Sequence, residues 1–328
     1  MNNVGDVAIG LDLGGTKILA ALISKDGKVI NQTESETSKQ GQDGIYTTIL
    51  TTITKLLVIE DINPNRLKGI GVASAGIIDS TQNVIQYAKN LGMKNFPIGS
   101  LLEAHFQLPV KLVNDANAAA VAEWIWGAGR KKRNLVYITV STGVGAGIIS
   151  NGRLLTGAND CAGEFGHISI MHNGIQCECG NRGCLEKYTS GTAIAKIANE
   201  RLLAGESSSL GSIKSGDVTS KHLAAAAEEG DVFSINLLKE VGEYLGTGVN
   251  NLIHLFNPEV IVFGGGVMNM SRFIVPSIKE AVRTYGISHM AKGVTIETST
   301  LGKKAGVMGA SGLFFANDQH DKFMSPSL

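Results

Sequence analysis

The 328-residue sequence predicts an α/β protein of two domains, and three observations carry that prediction. A pattern of strand, glycine-rich turn and strand occurs near residue 10 and again near residue 140, which indicates an internal duplication. Short apolar strands alternate with helical segments along the chain. The length suits two domains of about 100–200 residues each, and 43% hydrophobic against 18% charged residues supplies their cores.

The first copy of the pattern lies at the start of the chain. An apolar run at 7–13 leads into the turn Gly14-Gly15-Thr16-Lys17, and a second apolar run follows at 18–23. The dipeptide Asp26-Gly27 then predicts a hairpin turn. The second copy is "NLVYITVSTGVGAGIISNGRLL", which also closes on a hairpin signal, Asn-Gly.

The segments between and beyond the copies predict the remaining elements. These are a helix at 44–60, strands at 69–73 and 109–113, a capped helix in "NDANAAAVAEWIWGAG", a helix at 223–256, a strand in "EVIVFGGGV" and a closely packed small-residue helix in "AGVMGASGLFFA".

Neither glycine turn matches a common nucleotide motif. A Walker loop needs Gly-Lys-Ser/Thr opening a helix, whereas Gly15 is followed by Thr16 and a strand. The run 143–147 also leads into a strand, unlike the dinucleotide fingerprint. A turn between two strands can still present N–H groups to a phosphate, with Asp12 beside it to hold magnesium through water. Two ordinary hairpins are the alternative, and the matched pair together with Gly264, Gly265 and Gly266 favours a nucleotide.

Three of the four cysteines are crowded behind a histidine. His167, Cys177, Cys179 and Cys184 have the spacing H-x9-C-x-C-x4-C, and imidazole and thiolates are preferred zinc ligands. Four such ligands predict a closed, structural zinc site, and three free thiols are the alternative reading. Cys161 lies outside the spacing.

Two acids flank this loop. Glu164 precedes His167 by three residues, and Glu186 follows Cys184 by two. If zinc fixes one imidazole nitrogen, the other can donate to a ligand. The three side chains Glu164, His167 and Glu186 would then form a set that recognises sugar hydroxyls, although each could equally be a surface or capping residue.

Charge and hydropathy exclude some classes of protein. The formal net charge is zero, and the one basic run at 130–133 is interpreted as a solvated turn, so we expect no nucleic acid or membrane partner. No apolar stretch approaches the roughly 18 residues of a spanning helix. The first apolar stretch contains Asp6 and Asp12 and lacks a basic leader, so we expect a cytoplasmic protein.

The sequence resembles the ROK family of sugar kinases and repressors, within the actin-like/hexokinase superfamily, over nearly the whole chain. The motifs that carry the resemblance are "DLGGTK" at 12–17, "NDANAAA" at 114–120, "STGVGAGI" at 141–148, "AGEFGH" at 162–167, "CECGNRGCLE" at 177–186, "FGGGV" at 263–267 and "AGVMGA" at 305–310.

The resemblance implies a two-domain actin-like (ribonuclease H-like) ATPase fold with an interdomain cleft. A small α/β domain would comprise 1–115 plus 305–328, and 116–304 would form a larger α/β domain carrying the zinc loop. Relatives are commonly dimers, so a homodimer or higher homo-oligomer is expected. ATP and Mg²⁺ would be bound by Asp12, Gly14, Gly15, Thr16, Lys17, Thr142, Gly143, Gly264, Gly265 and Gly266. A sugar would be bound by Gly76, Asn114, Asp115, Glu164, His167 and Glu186, with Asp115 as the catalytic base.

The role of Asp115 also has a physical argument. It starts a helix, whose dipole favours an ionised carboxylate that could accept the proton of an attacking sugar hydroxyl. The residues alone leave open that Asp115 only caps the helix. Ala75-Gly76 replaces the Pro-Gly that many relatives have at a loop approaching the sugar.

We therefore expect ATP-dependent phosphorylation of a hexose, with glucose first because the cysteine element and "AGEFGH" resemble the glucokinase branch. N-acetylmannosamine, N-acetylglucosamine and other hexoses are alternative substrates. A non-catalytic sugar sensor and a DNA-binding ROK repressor are alternative functions. The repressor would need a DNA-binding module ahead of "DLGGTK", where eleven residues precede Asp12.

Overall fold

The computed structural model describes residues 5–59, 64–214 and 216–316. Its strands are β1 Val7–Leu13, β2 Lys17–Ser24, β3 Val29–Glu36, β4 Leu67–Ser74, β5 Ile77–Asp79, β6 Val84–Ala88, β7 Met93–Phe96, β8 Val110–Asn114, β9 Leu135–Val140, β10 Val144–Ser150, β11 Arg153–Leu154, β12 Val260–Gly264 and β13 Thr295–Thr298. Its helices are α1 Gly41–Ile59, α2 Ile98–Phe106, α3 Asp115–Ile125, α4 Glu186–Thr189, α5 Gly191–Leu203, α6 Ser220–Glu228, α7 Val232–Phe256, α8 Ser271–Tyr285, α9 Ser288–Ala291 and α10 Ala305–Gly312.

The chain forms two compact units. The first comprises 1–137, 147–163 and 300–328, and the second comprises 138–146 and 164–299. These limits differ from the boundaries expected after residues 115 and 304, and the domain division itself stays a prediction. Parts of two predicted segments, residue 60 of the first helix and 317–328 of the small domain, lie outside the described residues.

The first sheet has the strand order β3-β2-β1-β4-β8. Strand β1 is antiparallel to β2 and parallel to β4, which is parallel to β8. Side chains alternate between the two faces of a strand. The odd-numbered side chains of β1, such as Ile9, and the even-numbered side chains of β2, such as Leu22, therefore share a core with α1. On the other face, Leu19, Ala21 and Ile23 of β2 pack with Val307 of α10.

Helix α10 is the small-residue helix predicted from "AGVMGA", and its close packing is confirmed. A Cβ atom on Gly10 would collide with the carbonyl of Val307, and one on Gly309 with the carbonyl of Ala118 in α3. A Cβ on Gly71 of β4 would collide with the backbone of Ala310. Glycine is therefore needed on both sides of this contact, because the backbones approach more closely than any side chain allows.

The second five-stranded sheet has the order β11-β10-β9-β12-β13, and β5, β6 and β7 form a small three-stranded sheet. Strands β10 and β11 pair through Ser150 and Arg153. The intervening Asn151 and Gly152 both have positive φ, 51° and 75°. These angles are typical of the hairpin turn that Asn-Gly predicts.

The helix predicted for 223–256 is wrong in one respect, because two helices occupy it. Helix α6 ends at Glu228, and α7 begins at Val232. Gly230 has φ 91°, and Asp231 caps α7 by accepting a hydrogen bond from the Ser234 N–H at 2.8 Å. The Gly-Asp pair is a helix stop followed by a start, a signal that the apolar pattern obscured.

Among the residues described, no helix combines the length and the apolar character that crossing a bilayer requires.

Candidate active site

Three parallel strands of the first sheet end side by side. Leu13 of β1 pairs in register with Ser74 of β4, and Ser74 pairs with Asn114 of β8. This alignment brings Asp12, the loop after β4 and the start of α3 to one edge of the sheet. The carboxyl edge of parallel strands is where open α/β sheets commonly bind ligands.

Asn114, rather than Asp115, is the main cap of α3. Its Oδ1 accepts hydrogen bonds from the N–H of Ala116 at 2.9 Å and of Asn117 at 3.4 Å. Asp115 accepts one bond from the same Ala116 N–H, at 2.8 Å, and its side chain stays accessible to solvent although protein surrounds it on most sides. Asp115 therefore has a carboxylate available to a ligand in addition to its local helix contact.

The two carboxyl groups at this edge are electrostatically unusual. Burial, then the charge of Asp115, raises the pKa of Asp12 to about 6, and Lys17 opposes this rise. Desolvation also raises the pKa of Asp115, against the lowering effect of the Ala116 N–H. Desolvation thus outweighs the favourable field of the helix N-terminus expected from the sequence. Both groups hold protons more tightly than an ordinary aspartate.

Gly76 and Asn114 are joined directly. The Asn114 Nδ2 donates to the Gly76 carbonyl at 3.5 Å. Gly76 has φ 105°, and a Cβ there would collide with the carbonyl of Tyr87 on β6. Glycine is therefore required by both backbone conformation and space. Of the predicted sugar ligands, Gly76, Asn114 and Asp115 lie together in the first unit.

The first glycine turn connects β1 to β2, as predicted, and a strand rather than a helix follows it. The Gly14 N–H donates to the Lys17 carbonyl at 3.1 Å, and the Thr37 hydroxyl donates to the Gly14 carbonyl at 2.6 Å. Gly15, Thr16 and Lys17 are exposed.

The Lys17 ammonium already has a partner on the neighbouring strand. It pairs with the Glu34 carboxylate of β3 at 2.5 Å, with both side chains about half exposed. The predicted interaction of Lys17 with ATP would compete with this pair.

The start of α10 lies against Asp12, a contact that the sequence did not reveal. A Cβ on Gly306 would lie 2.8 Å from the Asp12 Oδ2. Gly306 therefore leaves the space that the carboxylate occupies. The only signal in the sequence was the run of small residues in "AGVMGA".

The second glycine turn connects β9 to β10 and is held by residues from α4 and α5. The Ser141 N–H donates to the Gly143 carbonyl at 2.8 Å, which closes the turn. The Glu186 Oε2 accepts from the Val144 N–H at 2.8 Å. One oxygen of this predicted sugar ligand is therefore already used to hold the turn.

The first residues of α5 also hold this turn. The Gly191 N–H donates to the Ser141 carbonyl at 2.7 Å, and the Thr192 hydroxyl donates to the Thr142 carbonyl at 2.9 Å. Sequence reasoning missed both residues. No local pattern relates them to a turn about 50 positions earlier.

The third glycine cluster follows β12. Gly264 ends the strand, and Gly265, with φ 90°, lies against the backbone of Val140, so that a Cβ there would collide. Nothing lies within 4 Å of a Cβ placed on Gly266. Gly265 therefore has a packing reason to be glycine, whereas Gly266 presents open backbone.

The four predicted zinc ligands come together in the second unit. One donor atom each of His167, Cys177, Cys179 and Cys184 lies within 4.8 Å of all the others. The Cys177 Sγ is 3.7 Å from the His167 Nδ1, and the Cys179 Sγ is 3.6 Å from the Cys184 Sγ. A tetrahedral zinc ion would separate such atoms by about 3.5–3.8 Å. The donor set therefore fits zinc in chemistry and in spacing.

The thiols of this cluster influence one another's ionisation. Burial, together with the adjacent sulfurs of Cys179 and Cys177, raises the pKa of the Cys184 thiol to about 12. Such a thiol becomes a thiolate when a cation lies beside it. Cys161 is outside the cluster, and its thiol donates to the Asn159 carbonyl.

His167 presents its two ring nitrogens to different partners. Nδ1 faces Cys177, while Nε2 lies 4.0 Å from the Glu164 Oε2. Gly166, beside His167, lies directly against the carbonyl of Val144. The predicted ligands Glu164, His167 and Glu186 thus flank the second glycine turn.

Comparisons with known proteins identify the family of the chain. The model of the ROK family matches residues 8–317. A glucokinase of Halalkalibacterium halodurans is 38% identical over 309 residues, covering 93% of this chain and 94% of that protein. A xylose repressor of Bacillus spizizenii is 30% identical over 316 residues, covering 95% of this chain and 78% of the repressor.

The fold of the chain is similar to that of a solved structure. The ROK family glucokinase from Streptomyces griseus, in complex with glucose and AMPPNP, has a TM-score of 0.79 and 31% identity, covering 94% of this chain and 98% of that one. The predicted α/β class and two-domain actin-like ATPase fold are therefore confirmed. The family match over most of the sequence shows that the chain belongs to the ROK family.

Proposed function

We propose that this protein is an ATP-dependent sugar kinase that converts glucose to glucose 6-phosphate. One observation carries the proposal: Asp12 and Asp115 lie at the same edge of the first sheet, and each has a raised pKa. Two such carboxylates suit a magnesium-dependent phosphoryl transfer with a general base. The similarity to glucokinases from Halalkalibacterium halodurans and Streptomyces griseus supports glucose as the substrate.

Asp115 is the base in this proposal. Its carboxylate accepts the proton of the sugar hydroxyl as that oxygen attacks the γ-phosphorus, and ADP leaves with the electrons of the broken P–O bond. The Asn114 amide, fixed by the cap of α3 and by the Gly76 carbonyl, orients the sugar beside it. Orientation contributes most in a reaction whose transition state needs little covalent help.

The two glycine turns bind the phosphates of ATP. Gly15 and Thr16 are exposed in the first turn and Thr142 in the second, with the half-buried Gly14 and Gly143 beside them. Magnesium, when bound, neutralises charge on the transferred phosphoryl group, and Asp12 would hold it through water. Gly264, Gly265 and Gly266 lie near the nucleoside, and Lys17 exchanges Glu34 for a phosphate.

The proposal also includes a structural zinc ion. His167, Cys177, Cys179 and Cys184 would bind it with no position left for substrate, so it would act on loop structure rather than chemistry. Glu164, His167 and Glu186 would contact sugar hydroxyls from this loop. Metal analysis of chelator-free protein should find about one zinc per chain. A homo-oligomer, the absence of a nucleic-acid partner and a cytoplasmic location stay predictions.

The test is ADP release with magnesium, ATP and a panel of glucose, mannose, N-acetylglucosamine and N-acetylmannosamine. Glucose should give the highest kcat/KM. Asp115→Asn should reduce kcat at least about 100-fold, because general-base catalysis contributes about that much, while calorimetry still detects glucose binding. Asp43→Asn is the matched control, since Asp43 is an exposed aspartate in the first turn of α1.

The possible outcomes separate the proposals. An unchanged rate for Asp115→Asn contradicts the base assignment alone. Turnover that favours an N-acetylated sugar corrects the substrate, and glucose binding without any turnover indicates a sensor instead of a kinase.

A further inference from the structure

An ion pair lies within the cysteine loop. The Lys187 Nζ contacts both carboxylate oxygens of Glu178, at 2.9 and 3.0 Å. The Lys187 side chain is 19% exposed and that of Glu178 is 81% exposed. Pairs between two exposed side chains contribute little to stability. The burial of Lys187 indicates that its position is set by its surroundings rather than by this contact alone.

The pair is placed among the predicted metal ligands. Glu178 separates Cys177 from Cys179, and Lys187 lies three residues after Cys184, to whose carbonyl its N–H donates at 3.0 Å. The Glu178 Oε2 is 3.9 Å from the Cys177 Sγ and 3.0 Å from the Lys187 Nζ. A single oxygen atom therefore lies between the ammonium and a ligand sulfur.

The net charge of the proposed zinc site gives the position of the Lys187 ammonium a physical role. One divalent ion bound by a neutral imidazole and three thiolates leaves a net charge of about −1. Cys177 and Cys184 are buried whereas Cys179 is exposed, so solvent screens only part of that charge. A cation beside the sulfurs favours the fully ionised set of ligands. Residues outside the first ligand layer often change metal affinity by about 10–100-fold.

We propose that Lys187 is a positioning residue of the zinc site, whose ammonium offsets the excess negative charge of the three thiolates and so slows loss of the metal. Glu178 keeps the ammonium beside Cys177. This inference rests on the proposed zinc site and does not depend on which sugar is phosphorylated.

The experiment measures zinc transfer from the purified full-length protein to an excess of chromogenic chelator. Lys187→Met keeps most of the apolar stem but removes the charge, and it should release zinc about tenfold faster than the unaltered protein. Lys187→Arg keeps the charge and should release zinc at nearly the original rate. Arg283→Met is the matched control, because it removes the cation of an exposed ion pair elsewhere in the second unit.

Glu178→Gln separates charge from simple tethering. Its amide oxygen can still accept from Lys187, and the variant removes a negative charge near Cys177, so zinc should be released no faster than from the unaltered protein. Release from Lys187→Met at the original rate overturns the proposal. If Glu178→Gln and Lys187→Met accelerate zinc release equally, the proposal is also overturned. The ion pair would then act only by tethering the two segments of the loop. If the unaltered protein contains no zinc, the proposed metal site does not exist, and this result is independent of whether glucose is phosphorylated.

Discussion

The two glycine turns share a backbone plan but differ in what holds them. The first closes on itself through Gly14 and Lys17, and Thr37 of the next segment donates to it from both its hydroxyl and its N–H. The second also closes on itself but is held in addition by Glu186 and Thr192, which are more than 40 residues away in sequence. The second turn therefore depends on tertiary structure to a greater extent.

The strands before the turns differ in charge as well. Asp12 lies two residues before the first turn, whereas Thr139 and Val140 precede the second. The first turn therefore has its acid on the strand that leads into it, whereas the acid at the second turn, Glu186, comes from α4 and accepts from the Val144 N–H. In the proposed function both turns bind phosphate, and the first, with Asp12 beside it, would also hold magnesium.

Among the variants that test the difference between the two turns, the replacement of Asp12 should change the rate most. Asp12→Asn should lower kcat at least about 100-fold, because metal-assisted charge stabilisation contributes several kcal/mol. A magnesium titration of the initial rate should show that saturation requires more metal than in the unaltered protein. An unchanged rate and magnesium requirement would remove the assigned difference between the turns.

The same variant should stabilise the protein at neutral pH. The pKa of Asp12 is about 6 in the folded chain against an ordinary value of 3.8, so its ionised form opposes folding above pH 6. Thermal unfolding of Asp12→Asn at pH 7.5 should therefore have a midpoint about 2–4 °C higher. The difference should close as pH falls from about 6 to about 4. A difference that is independent of pH would contradict the raised pKa.

Gly143→Ala tests the dependence of the second turn on Glu186. A Cβ on Gly143 would lie 2.6 Å from the Glu186 Oε2, so the carboxylate must move away and release the Val144 N–H. The KM for ATP should rise about tenfold, which is the effect of losing one charge-assisted hydrogen bond. Gly211→Ala is the control, because Gly211 has nothing within 4 Å of its Cβ position. Equal kinetics for the two variants would contradict a role of Glu186 in holding the turn.

A pair of threonine variants should give the smallest effects and compare the turns directly. Thr192→Val removes a hydrogen bond to the second turn and should raise the KM for ATP about threefold to fivefold. Thr37→Val should raise it about twofold or less, because the backbone bonds of the first turn, including that from the Thr37 N–H to the Thr16 carbonyl, remain. Thr192→Ser and Thr37→Ser, which keep the hydroxyl, should restore the original values. A larger effect of Thr37→Val would reverse the comparison.

The predictable parts of the site are those encoded by neighbouring residues. The hairpin turns, the cap of α3 at Asn114 and the grouping of the cysteines depend on short spacings, so local chemistry was sufficient. The contacts of Glu186 with Val144 and of Gly306 with Asp12 were not predictable, because each joins segments whose relation is set by tertiary packing. The helix predicted at 223–256 failed for the opposite reason, since a long apolar pattern obscured the local signal at Gly230 and Asp231.

Helix α10 has a consequence for the synthesis of the chain. It covers one face of a sheet whose first strands, β1 and β2, are complete by Ser24, but α10 itself begins at Ala305. At about 5–20 residues per second, a ribosome needs roughly 15–60 seconds to bridge that interval. Throughout this time the apolar side chains of Leu19, Ala21 and Ile23 lack their final cover. The nascent first unit thus exposes part of this apolar face until α10 emerges.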